Sequence, residues 1–322
     1  MTSTSFSPDL HFVEAAAFED VDTDRQRAQR RAQTYTLQAI NAVAPLESKI
    51  VSHPRFSTCL SAIDRVFQLS RALSQPVGAR IFGPPGTGKT TVCRYFMQSF
   101  SSESLLEQRL EAVHITARNC THPTTFIQTL LKAIDYPLYT VKSRTLGIKR
   151  DLVLEQMERR RTRLVLIDEA ELLMRLTQRG RGEGNYFTEF LREALDARIG
   201  VVLVGGESLA KLEETDKYLA SRCGVAESMH DFRFGGPWLG LIKPLIAACP
   251  AVDSSILTIP AQQRNLHRAA AGNLRRLKIL MTEAFLMALD AKSQALTEAL
   301  MHTAFERAFG THSAVASPWR LA

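Results

Sequence analysis

A chain of 322 residues with 45% hydrophobic and 23% charged residues and a net charge of +7 has a globular composition and can form one large domain and a smaller one. No apolar run reaches the roughly 18 residues of a membrane-spanning helix, and the start MTSTSFSPDLHF lacks a basic region followed by an apolar one, so the expectation is a cytoplasmic protein without a membrane partner. The five cysteines (Cys59, Cys93, Cys120, Cys223, Cys249) have no paired spacing and the eight histidines no pattern such as H-E-x-x-H, which argues against a disulfide framework, a zinc site or any other transition-metal centre.

Residues 1–50 read as an extension, with a polar start and then a helix from Asp24 to Val43 stopped by Pro45. Residues 51–235 read as an α/β domain. Its first helix, Ser57 to Leu73, leads through Gln75-Pro76 into a strand over Ala79 to Phe82, with proline and glycine as punctuation. Directly after that strand stands Gly83-Pro84-Pro85-Gly86-Thr87-Gly88-Lys89-Thr90, followed by Thr91. The three glycines allow turns that aim successive backbone N–H groups into one concavity. In that frame Lys89 reaches the β and γ phosphates of ATP, and the Thr90 hydroxyl ligates Mg2+. A helix over Thr91 to Phe100 then points its positive end at the anion. Taken alone, the same octapeptide is also a glycine-rich turn with Lys and Thr at chance offsets.

Ala112 to Thr116 is the second predicted strand, Pro123 to Ala133 a helix with proline at its first position, and Gly147 to Arg161 another. Cations outnumber acids between Lys142 and Arg163, a pattern that fits a solvated helix face as well as a surface for a polyanion. Leu164 to Asp168 is a continuous apolar run ending in acids. Such a run suits a parallel strand covered on both faces, whose C-terminal end is where α/β sheets bind ligands. Asp168 therefore holds Mg2+ directly or through water, and Glu169 orients and deprotonates the attacking water. An amphipathic helix over Tyr186 to Ala197, a fourth strand over Val201 to Val204 and a fifth over His230 to Phe234 complete a parallel five-stranded sheet with helices on both faces.

After Gly235-Gly236 only helical patterns occur: Trp238 to Ala248, Pro260 to Ala270, Leu274 to Ala291 and Leu296 to Phe309. They predict a helical lid over 236–310 with a tail over 311–322. The tail, with Pro318-Trp319-Arg320, and the extension up to Val43 read as docking segments, since an exposed Trp beside Arg suits an interface anchor.

A P-loop α/β domain followed by a helical lid resembles the AAA+ ATPases. Ser221-Arg222 sits where that superfamily carries an arginine finger, so the resemblance implies that Arg222 reaches the γ-phosphate of a neighbouring subunit. On spacing alone Arg222 is equally a surface arginine. Gly272-Asn273-Leu274-Arg275-Arg276 looks like the sensor 2 motif, which places Arg275 against the γ-phosphate of its own subunit; helix capping explains Gly272-Asn273 but not the arginine.

More narrowly, residues 50 to 310 resemble the TniB/TnsC family of transposon ATPases, through Ser52-His53-Pro54, Ile167 to Leu173, Val201 to Gly206 and Gly272 to Leu277. That resemblance implies an ATPase that assembles as a ring or helical filament of its own copies on duplex DNA. It would mark a target, recruit the transposase and work with a target-selection adaptor. The loops facing DNA in such an assembly carry Thr124, Thr125, Lys142, Ser143, Arg144, Thr145, Lys149 and Arg150. Hydroxyl and cationic side chains suit phosphates, so binding should be strongly salt dependent and weakly sequence selective. One departure stands out: Gly205-Gly206-Glu207 replaces the polar Asn or Thr of many AAA+ proteins, which implies slow or partner-dependent hydrolysis. Other readings are a helicase-loader-like DNA protein, a secretion-associated ATPase and a non-enzymatic ATP switch. A loader often carries a winged helix after the lid, and a secretion ATPase a membrane or cell-wall segment.

Overall fold

The computed structural model describes residues 35–75, 77–100, 110–179, 183–310 and 315–319. The predicted helix from Asp24 falls mostly outside them. In chain order the main elements are α1 (Leu37–Ser48), α2 (Pro54–Leu69), β1 (Gly78–Phe82), α3 (Lys89–Gln98), β2 (Ala112–Thr116), α4 (Pro123–Ala133), α5 (Leu146–Arg159), β3 (Leu164–Asp168), α6 (Glu171–Arg179), α7 (Glu183–Asp196), β4 (Gly200–Gly205), α8 (Lys217–Arg222) and β5 (Val225–Ser228). The helices α9 (Gly236–Ile246), α10 (Pro260–Ala270), α11 (Leu274–Asp290) and α12 (Glu298–Phe309) follow.

The five strands are parallel and ordered β2-β3-β4-β1-β5. Their side chains alternate between two buried layers, as the period of two requires. Val165, Ile167, Val201 and Leu203 face Phe126, Phe187 and Phe190. Leu164, Leu166, Val202 and Val204 face Phe56, Ile63 and Phe96 on the other side. Every residue of β3 and β4 is buried, which is why both read as unbroken apolar runs rather than alternating ones. The register pairs Thr116 with Asp168 and Phe82 with Gly205. The C-terminal ends of β1, β4 and β3 therefore lie side by side.

The fifth strand is Val225–Ser228, not His230 to Phe234. It pairs with β1 from Ala79↔Val225 to Phe82↔Ser228. The following stretch leaves the sheet because Phe232 is drawn into the helical core, where its N–H donates to Gly272 O at 2.8 Å and its ring lies near Trp238. Helix α1 also differs from expectation, since it runs through Pro45 to Ser48. An interior proline removes one helical hydrogen bond and costs about 3 kcal/mol. Burial of Val43 and Leu46 on either side of it offsets that cost.

Those two residues pack with α9 to α12 rather than with the sheet, sharing a cluster with Trp238, Leu277, Phe285 and Trp319. Polar straps hold the same contact: Thr36 N donates to Asp290 Oδ1 at 3.0 Å, and Tyr35 OH donates to Glu283. Trp319 is not an exposed anchor. It is 3% exposed, and its Nε1 donates to Gln262 Oε1 at 2.6 Å because the tail folds back over α10 and α12. Its neighbour Arg320 lies outside the described residues. Among the described residues no helix is long and apolar enough to cross a membrane, and all five cysteines are buried free thiols.

Candidate functional site

The loop after β1 wraps tightly because three of its glycines adopt positive φ, +147° at Gly83, +83° at Gly86 and +100° at Gly88. At Gly83 no side chain fits, since a Cβ would lie 1.9 Å from Met229 O. Gly88 is the left-handed N-cap of α3, so the helix starts at Lys89, two residues before the predicted start, and its first N–H groups have no intrahelical acceptor. Thr87 Oγ1 donates to Pro84 O at 3.0 Å and stiffens the loop from inside. Lys89 Nζ folds back to donate to Gly83 O and Pro84 O, both at 2.7 Å. Burial lowers its pKa, while the carboxylates of Glu171, Asp168 and Glu207 act in the opposite direction and Arg275 adds to the lowering.

Across the cleft, Thr90 Oγ1 donates to Asp168 Oδ2 at 2.7 Å. Asp168 is 5% exposed, and its Oδ1 accepts from Glu169 N at 2.9 Å. A hydroxyl and a buried carboxylate in contact form a hard oxygen pair of the kind Mg2+ selects. Glu169 sits at φ +56°, a left-handed conformation that costs a non-glycine residue energy and turns its side chain out of the strand. Arg118 holds that side chain: Nε donates to Glu169 Oε2 at 3.0 Å and Nη2 donates to Oε1. Arg118 comes from the short turn after β2, and the Thr116↔Asp168 pairing brings it opposite Glu169.

The helical region closes the cleft from the other side. Asn273 caps α11 by accepting from Arg276 N at 3.2 Å, and its Nδ2 donates to Pro85 O at 2.9 Å. Arg275 N donates to Gly86 O at 3.0 Å. Lys278, one turn on, donates to Glu47 O and Lys49 O at 2.7 and 2.6 Å. These bonds tie together the P-loop, α11 and the segment leading to α2. The resulting cleft, about 890 Å3, is walled by Ile50, Val51 and His53 at one end and by Asp168, Glu169 and Glu171 at the other.

Gly83, Pro85, Gly86, Gly88, Lys89, Thr90, Thr91, Asp168, Glu169 and Arg275 all line this one cleft. Arg222 does not. Its guanidinium is paired with Asp196 and stacked 3.9 Å from the Tyr218 ring centroid. Of the eight residues assigned to DNA, Thr124 and Thr125 use their hydroxyls at the start of α4, with Thr124 Oγ1 2.8 Å from His122 Nδ1 and Thr125 Oγ1 donating to His122 O at 2.7 Å. Thr145 Oγ1 donates to Lys142 O at 3.0 Å, Lys149 Nζ donates to Leu138 O at 2.8 Å, and Arg150 contacts Asp151 and Glu193. Lys142, Ser143 and Arg144 stand exposed at the turn before α5.

Sequence reasoning gave no role to Arg118, Glu171 or Lys278, and it read Asn273 as a helix cap, which it is, without its bond to Pro85 O. Arg118 carries no motif, and its place follows only from strand pairing. Glu171, three residues after Asp168 and one turn beyond β3, was the most accessible signal.

Residues 79–213 match the family model AAA_22, described as an AAA domain. Among solved structures, the chain is similar to the Aeropyrum pernix ORC2 protein in its ADPNP–ADP complexes, with 16% identity over 81% of this chain and 71% of that one and a TM-score of 0.61. It is similar to the A. pernix ORC1 protein in complex with DNA, with 17% identity, coverage of 80% and 66%, and a TM-score of 0.59. Drosophila ORC bound to DNA is matched at 16% identity over 93% of this chain and 70% of that one, with a TM-score of 0.57. No curated protein matches the sequence. The likeness shows the fold: an AAA+ P-loop core with a parallel five-stranded sheet and a C-terminal helical region.

Proposed function

We propose that this protein is a Mg2+-dependent ATPase that assembles copies of itself on duplex DNA as a ring or filament and regulates transposition, marking a target site and recruiting the transposase with a target-selection adaptor. The convergence of Lys89, the Thr90–Asp168 pair, Glu169 and Arg275 in one cleft carries the ATPase part. Support for nucleotide and DNA comes from the solved neighbours, one with ADPNP and ADP and two with DNA. The transposition part rests on the motif resemblance over residues 50 to 310.

The loop N–H groups at the start of α3 bind the phosphates, and Lys89 exchanges its two carbonyl acceptors for phosphate oxygens. Thr90 and Asp168 would hold Mg2+, which neutralises phosphate charge when bound. Glu169 takes a proton from the water whose oxygen bonds to the terminal phosphorus while the bridging P–O bond breaks toward ADP. It does so once its carboxylate is free of Arg118. Arg275, anchored next to Gly86 by its own N–H, brings the helical region to bear on the terminal phosphate. Arg222 acts across a subunit boundary after leaving Asp196 and Tyr218. Hydrolysis then releases the assembly.

The test is electron microscopy with a non-hydrolysable ATP analogue, with and without duplex DNA, on wild type and Lys89→Ala. Ordered assemblies on DNA are expected for wild type alone. Wild-type protein that neither binds DNA nor oligomerises with ATP overturns the reading. The likeness to ORC bound to DNA favours a second reading, a DNA loader. ATP-dependent capture of a purified transposase supports the first reading, and capture of a replicative helicase instead supports the second.

A further inference from the structure

Strand β4 runs between β1 and β3, so its C-terminal end lies between the P-loop and the acids Asp168 and Glu169. That end is Gly205, followed directly by Gly206, and both line the cleft without side chains. Glu171 fills the space. A Cβ on Gly205 would lie 1.9 Å from Glu171 Oε2, and a Cβ on Gly206 would lie 3.5 Å from Oε1. The first turn of α6 thus delivers a carboxylate to the position from which a side chain of β4 would otherwise project.

This carboxylate is unusually placed. Glu171 Oε2 is buried and has no hydrogen-bond partner, a costly state for a charged oxygen that marks a group awaiting a donor. Asp168 and Glu169 are not in that state: Asp168 accepts from Thr90 and Glu169 N, and Glu169 accepts from Arg118. A structural role for Glu171 would be explained by its negative charge in the first turn of α6, but that role calls for a carboxylate facing the helix N–H groups rather than one set against Gly205 and Gly206.

We propose that Glu171 is the positioning residue that replaces the absent side chain at the end of β4, its carboxylate, at the cleft wall, accepting a hydrogen bond from the attacking water and holding it between Glu169 and the terminal phosphate. This rests on the ATPase reading. One proton of the water passes to Glu169, and the other stays in the hydrogen bond to Glu171 as the oxygen bonds to phosphorus. The orientation of that second hydrogen is what Glu171 contributes, since misplacing a reacting group by about 1 Å costs about a hundredfold.

The structure also supplies a rescue. Gly206 has φ −76° and ψ 177°, extended backbone open to any residue, and the three atoms nearest to a Cβ placed there all belong to Glu171. Glu171→Ala empties that space, and adding Gly206→Asn refills it with an amide from the residue just past β4. The assay measures kcat, ATP affinity with a fluorescent analogue, and Tm for wild type, Lys89→Ala, Glu171→Ala and Glu171→Ala/Gly206→Asn. The expected result for Glu171→Ala is a kcat about 10–100-fold lower, with affinity within about threefold and an unchanged Tm. The double variant should recover at least about a third of that loss on a logarithmic scale. A wild-type kcat in Glu171→Ala overturns the inference, as does a slowed variant whose Tm falls and which Gly206→Asn does not restore. If wild type and Lys89→Ala bind and hydrolyse ATP equally poorly, the ATPase reading itself falls, and the inference with it; if Lys89→Ala is inactive and Glu171→Ala is not, only the inference falls.

Discussion

Leu46→Ala tests whether the N-terminal helix is part of the helical core or an appendage. Leu46 is fully buried among residues of α9 to α12. Truncating a buried leucine costs about 2–5 kcal/mol, more where the surroundings cannot collapse into the gap. Collapse is hindered here, because α1 is pinned at both ends. Thr36 N is bonded to Asp290 and Tyr35 to Glu283 at its start, and Lys278 grips Glu47 O and Lys49 O at its end. The cost should therefore fall in the upper half of that range. For a chain of this length the unfolding entropy is about 0.7 kcal/mol per degree, which makes the expected fall in Tm about 5–7 °C. Leu37→Ala, on the same helix but 72% exposed, should shift Tm by under about 1 °C. Differential scanning calorimetry on both variants decides the matter. Because Ile50 and Val51, just beyond the pinned end of α1, wall the cleft, nucleotide affinity should weaken in Leu46→Ala as well. Equal, small shifts for the two variants would refute the packing argument.

Burial, with a contribution from Arg55, pushes the His53 ring down to about 4. Between the ordinary value near 6.5 and that value the unfolded chain binds a proton that the folded chain refuses, so stability falls as pH drops through this window. His53 Nδ1 accepts from Phe56 N at 3.3 Å as the N-cap of α2, a role asparagine also fills; His53→Asn should flatten Tm against pH between about 6.5 and 4, and an unchanged slope counts against it. Trp319→Ala should cost about 3–5 kcal/mol in chemical denaturation by emptying a core site, whereas a loss under about 1 kcal/mol would show the tail to be undocked. Replacing both Lys142 and Arg144 with alanine should reduce the salt-dependence slope of DNA binding by about 2. An unchanged slope returns that exposed turn to ordinary solvated surface.

Local chemistry made much of this protein legible in advance. Gly83 to Thr90 and the run Leu164 to Glu169 announce themselves because close phosphate approach demands glycines and a strand covered on both faces demands an unbroken apolar run. The helices from Pro123 and from Pro260 were bounded by proline at the first position. Less legible were contacts that depend on which strands become neighbours. Arg118 meets Glu169 only because β2 pairs with β3 in one register, and Glu171 fills the gap above Gly205 only because β4 lies between β1 and β3. The fifth strand was expected at His230 to Phe234, whereas Val225–Ser228, whose local pattern is mixed, forms it by pairing with β1.

The phosphate loop, the acidic strand end and the first four strands were legible from the chain alone, since each depends on residues adjacent in it. Three-dimensional packing settled that α1 and Trp319 belong to the helical core, that Arg222 rests on Asp196 and Tyr218 outside the cleft, and that a glutamate one turn past β3 lies where a side chain at the end of β4 would project. The reason is physical: burial and charge pairing are settled by which surfaces meet in space, and a linear pattern carries no term for surfaces dozens or hundreds of residues apart.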